Sequence, residues 1–436
     1  MRLHRAREAN AERSALQLKP SNISSPSPAK PWRVLAPVFF YFLAAGIATV
    51  MLGPLLPAFI QRWHIQDAQA GTLFTASFVG QFCGAWFATR NLRASILFGS
   101  AISAIGCAAM AWASFGQAHV ALFCIGFGLG LGLTAGNVIA GTAVPSARAR
   151  LIALLNVAWG LGAIACPVLV RVSSPSGLQA FFYPVASFLA ITSLVAIAIP
   201  RLEQSTQPAG ASPTQPAILM ADVEKDATAL RKERNSGQPH AQPSRRLPLP
   251  PLPLFIFGAA IFLYVGVENS LGGWLPSYAI RISPVLRASS IALYFWIAEI
   301  TGRVLITLLM TLLGQATLYR ICLALLILTQ VLLCAIPIPT AAGIITLTFL
   351  AALSLAPLYP LIMSFLLART GNHARLGSLF ATASFGGASL PWLTGVFSTH
   401  FHGLRAGLLV PAAGAVLLFF LSTIVTAKPA FPSEPV

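Results

Sequence analysis

Charge is what this sequence has least of. Of its 436 residues, 9% are charged and 56% are apolar, against roughly a quarter charged in an average soluble chain. Such a chain cannot clothe a water-exposed surface, and its hydrophobicity excludes disorder as its general state. Acids are scarcer still, 11 against 28 Lys and Arg, for a formal net charge of +17. The basic residues fall in two polar stretches and in short loops. They form no stripe interleaved with aromatics, so no nucleic-acid partner is expected. The six cysteines (Cys83, Cys107, Cys124, Cys166, Cys322 and Cys334) all sit in apolar runs, without the Cys or His spacing of a zinc site. No histidine lies well inside an apolar run, and no Gly-rich phosphate loop ending in Gly-Lys-Ser/Thr occurs. Metal, acid–base and ATP-driven chemistry have little to work with, so neither an enzyme nor a bound metal or cofactor is expected.

What the chain has in abundance is long apolar runs. A hydrocarbon core of about 30 Å needs around 20 apolar residues per helix. Six runs of that kind occupy 34–60, 70–89, 94–114, 119–142, 151–170 and 178–199. Six more occupy 252–278, 288–312, 317–336, 340–368, 376–398 and 404–427. The expected organisation is a basic arm (1–33), a six-helix half (34–200), a polar linker (201–249), a second half (250–427) and a short tail (428–436). The linker holds Pro208, Pro213, Pro216, Pro239 and Pro243 with mixed charges at 222–234, and reads as a flexible tether with one short helix near 217–234. With the N-terminus inside, the inner segments hold 22 Lys and Arg and the outer loops 5. The positive-inside rule therefore predicts both termini in the cytoplasm of an integral protein of the cell (inner) membrane.

The two halves repeat at a nearly constant offset. Gly53-Pro54-Leu55-Leu56-Pro57-Ala58-Phe59 and Gly272-Gly273-Trp274-Leu275-Pro276-Ser277-Tyr278 both read Gly-x-x-Leu-Pro-x-aromatic, 219 residues apart. Phe78, Gln81 and Gly84 match Trp296, Glu299 and Gly302 at 218, and Gly162 and Pro167 match Gly386 and Pro391 at 224. Three matches in order predict an all-α membrane protein of twelve transmembrane helices in two parallel six-helix repeats, the major facilitator architecture. Glycines such as Gly126, Gly130 and Gly136 also suit close helix packing in lipid.

Only Glu268 and Glu299, among the acids, fall within the runs; Asp67 is placed in the first outer loop. An ionised carboxylate at the bilayer centre costs roughly 2.5–3.5 kcal/mol on insertion scales, so it needs a partner, a wet cavity or a proton. Arg303 stands four residues after Glu299, the spacing at which helical side chains meet. Their pair reads either as a fixed neutral unit or as one that opens during transport. Glu268 has no basic residue in its own run, with Tyr264 one turn earlier and Asn269 beside it. It reads as a proton carrier or substrate contact, or alternatively as a hydrogen-bonded anchor of its helix. Gln81, Asn137, Asn156, Trp159, Trp274, Trp296 and Tyr359 are the other polar or aromatic residues at membrane depth. Amides with indole rings suit a neutral hydroxylated ligand, and each residue singly suits interhelical bonding equally well.

Several of these segments resemble one group of transporters. Tyr264-Val265-Gly266-Val267-Glu268 with Gly272-Gly273-Trp274 is similar to the Tyr-Val-Gly-x-Glu…Gly-x-Trp segment of the fucose–galactose–glucose:proton symporter family of major facilitators. Asn156-Val157-Ala158-Trp159-Gly160-Leu161-Gly162 is similar to its Asn-x-x-aromatic-Gly-x-Gly segment, and Gly386-Gly387-Ala388-Ser389-Leu390-Pro391-Trp392 to its Gly-Gly-x-x-x-Pro-Trp. The resemblance covers the twelve runs and not the arm or linker. It implies alternating access, a sugar-like substrate and scope for proton coupling. Two departures stand out: the first run carries no acid, and Leu133 precedes Thr134-Ala135-Gly136-Asn137 where fucose importers carry a Glu. The expected function is secondary transport of a small neutral hydroxylated solute, a sugar or polyol, by symport with protons or by uniport. The expected setting is a monomer in the lipid bilayer. Export of amphipathic compounds or drugs is the alternative.

Overall fold

The computed structural model describes residues 32–88, 91–144, 147–197, 251–335, 340–370 and 376–427, and every regular element among them is helical. In lipid each backbone N–H and C=O must find a partner inside its own segment, and a helix does this without a neighbour. Twelve membrane-crossing segments result. They are α1 (Trp32–Val50 and Leu52–Trp63), α2 (Asp67–Phe87), α3 (Leu92–Met110), α4 (Phe115–Ala143), α5 (Arg148–Ser173) and α6 (Leu178–Ala196) in the first half. The second half has α7 (Pro251–Ile282), α8 (Ala288–Leu309), α9 (Gln315–Ala335), α10 (Ala341–Leu355 and Leu358–Thr370), α11 (Leu376–His400) and α12 (Leu404–Gly407 and Leu409–Val425). The sequence-derived runs differ from these by a few residues at each end. Among the described residues nine helices are long and apolar enough to cross a membrane alone, and the two pieces of α1, bent by 42°, make a tenth. The other two, α2 and α11, carry Gly, Ser and Thr where their neighbours carry Leu and Ile, because they face each other. The arm through residue 31, the linker with its expected helix near 217–234, and the tail from 428 lie outside the described residues.

Each of the three broken helices breaks for the same reason. Proline has no N–H to return to the carbonyl four residues earlier. Pro54, Pro360 and Pro411 release the carbonyls of Val50, Ala356 and Gly407, and these are the residues at which the first piece of α1, α10 and α12 ends or is capped.

The pairing of helices repeats between halves. α1 packs on α5, α2 on α4 and α3 on α6; α7 packs on α11, α8 on α10 and α9 on α12. Between halves α2 meets α11, α5 meets α8, and α1 meets α7. The repeat glycines sit at equivalent crossings. A Cβ at Gly84 would strike the Phe127 carbonyl of α4, and one at Gly302 the Leu353 carbonyl of α10. Gly162 and Gly386 press likewise on the Leu43 and Phe262 carbonyls, of α1 and α7. Gly53 faces its own counterpart, Gly272, across the pseudo-twofold axis. The repeat visible in the sequence is thus largely a record of close backbone approach.

Candidate functional site

We call the end of the bundle that carries the 282–288 and 400–404 loops distal, and the end from which Trp32 enters proximal. At the distal end the halves are locked together. Asp67, assigned by sequence to a loop, instead heads α2 and is buried, for a specific reason. Arg281 at the end of α7 donates to both its carboxylate oxygens, at 2.6 and 2.7 Å, and Ser398 of α11 donates at 2.5 Å. The Ala68 N–H donates to Thr399 Oγ1 at 2.8 Å, and Thr75 Oγ1 to the Ala388 carbonyl at 2.9 Å. Beneath these bonds Phe74 packs on Trp274, with ring centroids 6.2 Å apart, and against Gly273.

A cavity of about 260 Å³ lies on the proximal side of that plug, between the halves. Both halves line it: Thr49, Phe78, Gln81, Thr134 and Trp159 from the first, Glu268, Asn269, Trp296 and Ser384 from the second. Toward the proximal end Phe82 of α2 meets Phe385 of α11, at 5.0 Å, and Trp86 beyond it is 72% exposed.

The structure brings five of the sequence-derived candidates, Gln81, Trp159, Glu268, Asn269 and Trp296, to this cavity wall. Asn269 donates Nδ2 to the carbonyl of Val265, one turn back on its own helix, at 2.8 Å. Its Oδ1 takes no protein hydrogen bond among the described residues and is left as a free acceptor at the cavity wall. The Trp296 ring stands edge-on to Trp159 at 5.8 Å, and its Nε1 is buried with no acceptor among the described residues. A buried N–H with no acceptor is uncommon in a finished structure and marks a place where a ligand or water bonds.

Glu299, Arg303 and Tyr264 form the layer behind Glu268. Tyr264 Oη donates to Glu268 Oε1 at 2.8 Å, and its ring meets Tyr359 at 5.4 Å. Arg303 pairs with Glu299 as the helical spacing predicts, and it also reaches Glu268 at 3.4 Å. Its guanidinium lies 5.9 Å from the Trp159 ring centre, bridging to the other half. Three candidates stand elsewhere. Trp274 is fully buried, and its Nε1 donates to the Pro391 carbonyl at 2.8 Å, tying α7 to α11. Asn137 donates to Leu133 O at 2.9 Å, its Oδ1 buried with no partner among the described residues, and Asn156 is exposed on α5, donating to Ile152 O at 3.1 Å. The hydroxyls of Thr49, Thr134 and Ser384 were not singled out from sequence, since Ser and Thr within apolar helices are frequent and mostly bond their own backbone. Among the described residues no group of three or more His, Cys, Asp or Glu could hold a metal ion.

Comparison with known proteins agrees with this architecture. The family model of the Major Facilitator Superfamily matches residues 38–390. The bacterial homologue of the human lysosomal transporter Spinster, inward-facing and unoccupied, superposes with a TM-score of 0.67 at 15% identity, covering 91% of this chain and 97% of that one. The nucleoside transporter NupG gives 0.66 at 14% identity, over 91% of this chain and 100% of that one. The fucose:proton symporter of E. coli gives 0.56 at 19% identity, over 92% and 100%. A curated relative, Bypass of stop codon protein 6 of Saccharomyces cerevisiae, is 24% identical over 278 residues, 60% of this chain; the chain spans about half, 54%, of that relative's length. The chain belongs to the Major Facilitator Superfamily, a family of integral membrane transporters.

Proposed function

We propose that this major facilitator carries a small neutral hydroxylated solute, of the sugar or polyol kind, by alternating access in symport with a proton. The observation that carries the reading is the cavity itself. At about 260 Å³ it sits just below the range of roughly 300–1,000 Å³ usual for drug-sized ligands. Its walls combine the indoles of Trp159 and Trp296, which can cover the apolar face of a sugar ring, with Gln81, Asn269 and Glu268, which can bond its hydroxyls. The uncommitted Asn269 oxygen supplies an acceptor, and the Trp296 N–H, buried in this state, would become a donor once the wall rearranges around the solute. Glu268 is the charged residue of the cavity wall, and an ionisable side chain at membrane depth serves by default as a site of proton or substrate binding.

The charge distribution in the sequence supports a cell-membrane location with the proximal end in the cytoplasm. The distal lock would then close the outer gate, and the cavity would open inward. Residues 201–249 would tether the halves on the cytoplasmic side, with the protein working as a monomer.

The test uses purified protein in liposomes with an imposed pH gradient, labelled hexoses, deoxyhexoses and polyols, and Glu268→Gln in parallel. The expected result is gradient-driven accumulation of at least one panel member by the wild type and equilibrative uptake by the variant. Full accumulation by the variant would remove Glu268 from coupling. No uptake of any panel member by folded protein would overturn the solute class in favour of export of amphipathic compounds.

A further inference from the structure

Two carboxyl groups and one guanidinium meet inside the bundle. A single nitrogen, Arg303 Nη2, contacts Glu299 Oε1 and lies 3.4 Å from Glu268 Oε1. Tyr264 donates to that same Glu268 oxygen. That one guanidinium nitrogen therefore brings the two carboxyl groups to a common point. Glu299 is fully buried, and its Oε2 has no donor among the described residues.

Two simple arguments converge on this arrangement. The first counts charge: with both carboxylates ionised the three groups sum to −1, and with one proton they sum to zero. An uncompensated charge in the interior costs several kcal/mol, on the order of the penalty for breaking a buried pair. The second counts hydrogens. An ionised carboxylate oxygen can only accept, and Glu299 Oε2 is buried with no donor among the described residues, so a carboxyl that spends part of its time protonated suits this place better than one that is always ionised. Other ionisable neighbours are Tyr264 on α7 and Tyr359 on α10. The walls from α2, α4, α5 and α11 bring Gln81, Thr134, Trp159 and Ser384, and none of these carries charge.

We infer that Glu268 and Glu299 form one proton-binding site that holds a single shared proton, with Arg303 as the positioning residue that follows the negative charge between them. Glu268 lines the cavity and exchanges the proton with water there. When the O–H bond forms on Glu268, Arg303 stays paired with Glu299. When it breaks, Glu268 is left anionic and Arg303 closes its gap to it. As a coupling device the site rests on the symport reading above; as a proton-binding site it stands without it.

Infrared difference spectroscopy of the full chain in lipid, stepped in pH, counts buried protonated carboxyls by their C=O stretch. The wild type is expected to show one titrating band. Both Glu268→Gln and Glu299→Gln are expected to lose it over the same pH interval, because one carboxylate beside one guanidinium is already neutral. Arg303→Gln is expected to show two. A band that survives in Glu299→Gln would assign the proton to Glu268 alone and overturn the sharing. Two bands, or none, in the wild type would overturn the single-proton count. Should Glu299→Gln fail to fold, Glu299→Asp keeps the carboxyl and alters its C=O stretch: a shifted band supports sharing, and a band identical to the wild type's would assign the proton to Glu268 alone. Liposome uptake is read separately: a shared band without proton-driven accumulation counts against the symport reading and leaves the site intact.

Discussion

A tryptophan's sequence position says how deep it lies in the membrane and nothing about what its ring faces. Trp274 and Trp296 both sit within apolar runs, yet Trp274 closes the seam between α7 and α11 while Trp296 stands on the cavity wall. The ionisable residues were far more legible, because acids are so rare in the apolar runs that Glu268 and Glu299 stand out at once. The i,i+4 spacing also disclosed the Glu299–Arg303 pair. The reach of Arg303 to Glu268, 35 residues away on another helix, was not legible, since no periodicity links residues that meet only through helix packing. Asp67 misled for a related reason: an acid between two runs reads as a solvated loop unless its partners, Arg281 and Ser398, are seen beside it. The Trp296 indole offers a sharp test of the solute site. Its buried Nε1 has no acceptor in the described structure, so a substrate oxygen is the natural partner. Trp296→Phe keeps a ring and removes the donor. A neutral hydrogen bond is worth about 0.5–1.5 kcal/mol net. Half-saturation for the transported solute should therefore rise by about two- to thirteenfold, with the maximal rate little changed. An unaltered half-saturation constant would mean that the indole N–H does not touch the solute.

At the scale of the helix, the runs themselves were readable from composition, since a helix in lipid announces itself by length and apolarity alone. The three proline breaks were not read, although Pro54, Pro360 and Pro411 are plain in the sequence. Pro37, Pro167 and Pro184 sit in helices without breaking them, and neighbours decide which happens. The repeat glycines carry the most specific prediction. Gly162 and Gly386 are counterparts that press on backbone carbonyls, which cannot swing aside as a side chain can. Replacing either with Ala forces its crossing apart, and overpacking of this kind costs about 1–3 kcal/mol. Gly162→Ala and Gly386→Ala should each lower the thermal unfolding midpoint in detergent by several degrees. Gly116→Ala, where nothing lies within 4 Å of the added carbon, should leave it unmoved. If all three behaved alike, the glycines would matter through helix propensity and not through packing.

For the whole molecule, the position of the cavity and the lock together define a conformational state. Between the halves α1 meets α7, α2 meets α11 and α5 meets α8, so a rocking motion that opens one end closes the other. Distally the seam holds a buried carboxylate with two donors from the opposite half, Arg281 and Ser398, together with the Thr399 bond and the Phe74–Trp274 contact. Opening that end must break all of them, so Asp67 biases the equilibrium toward the distally closed state. Hydrogen bonds to a charged group are worth about 1.5–3 kcal/mol each. The Arg281 side chain is 41% exposed, and solvent screening reduces its share. Asp67→Asn keeps the shape and one acceptor oxygen while removing the charge. A net loss of about 1.4 kcal/mol would move the population roughly tenfold toward the distally open form. Spin labels at Gly116 and His402, on the distal rims of the two halves and in a background with the six cysteines replaced, would read this as a longer component in the distance distribution. Arg281→Gln should produce the same component, and the double variant little more, because both changes break the same ion pair. If Asp67→Asn left the distances unchanged, the ion pair would be a bystander, and the closed end would be held by the Thr399 and Thr75 bonds and the Phe74–Trp274 contact.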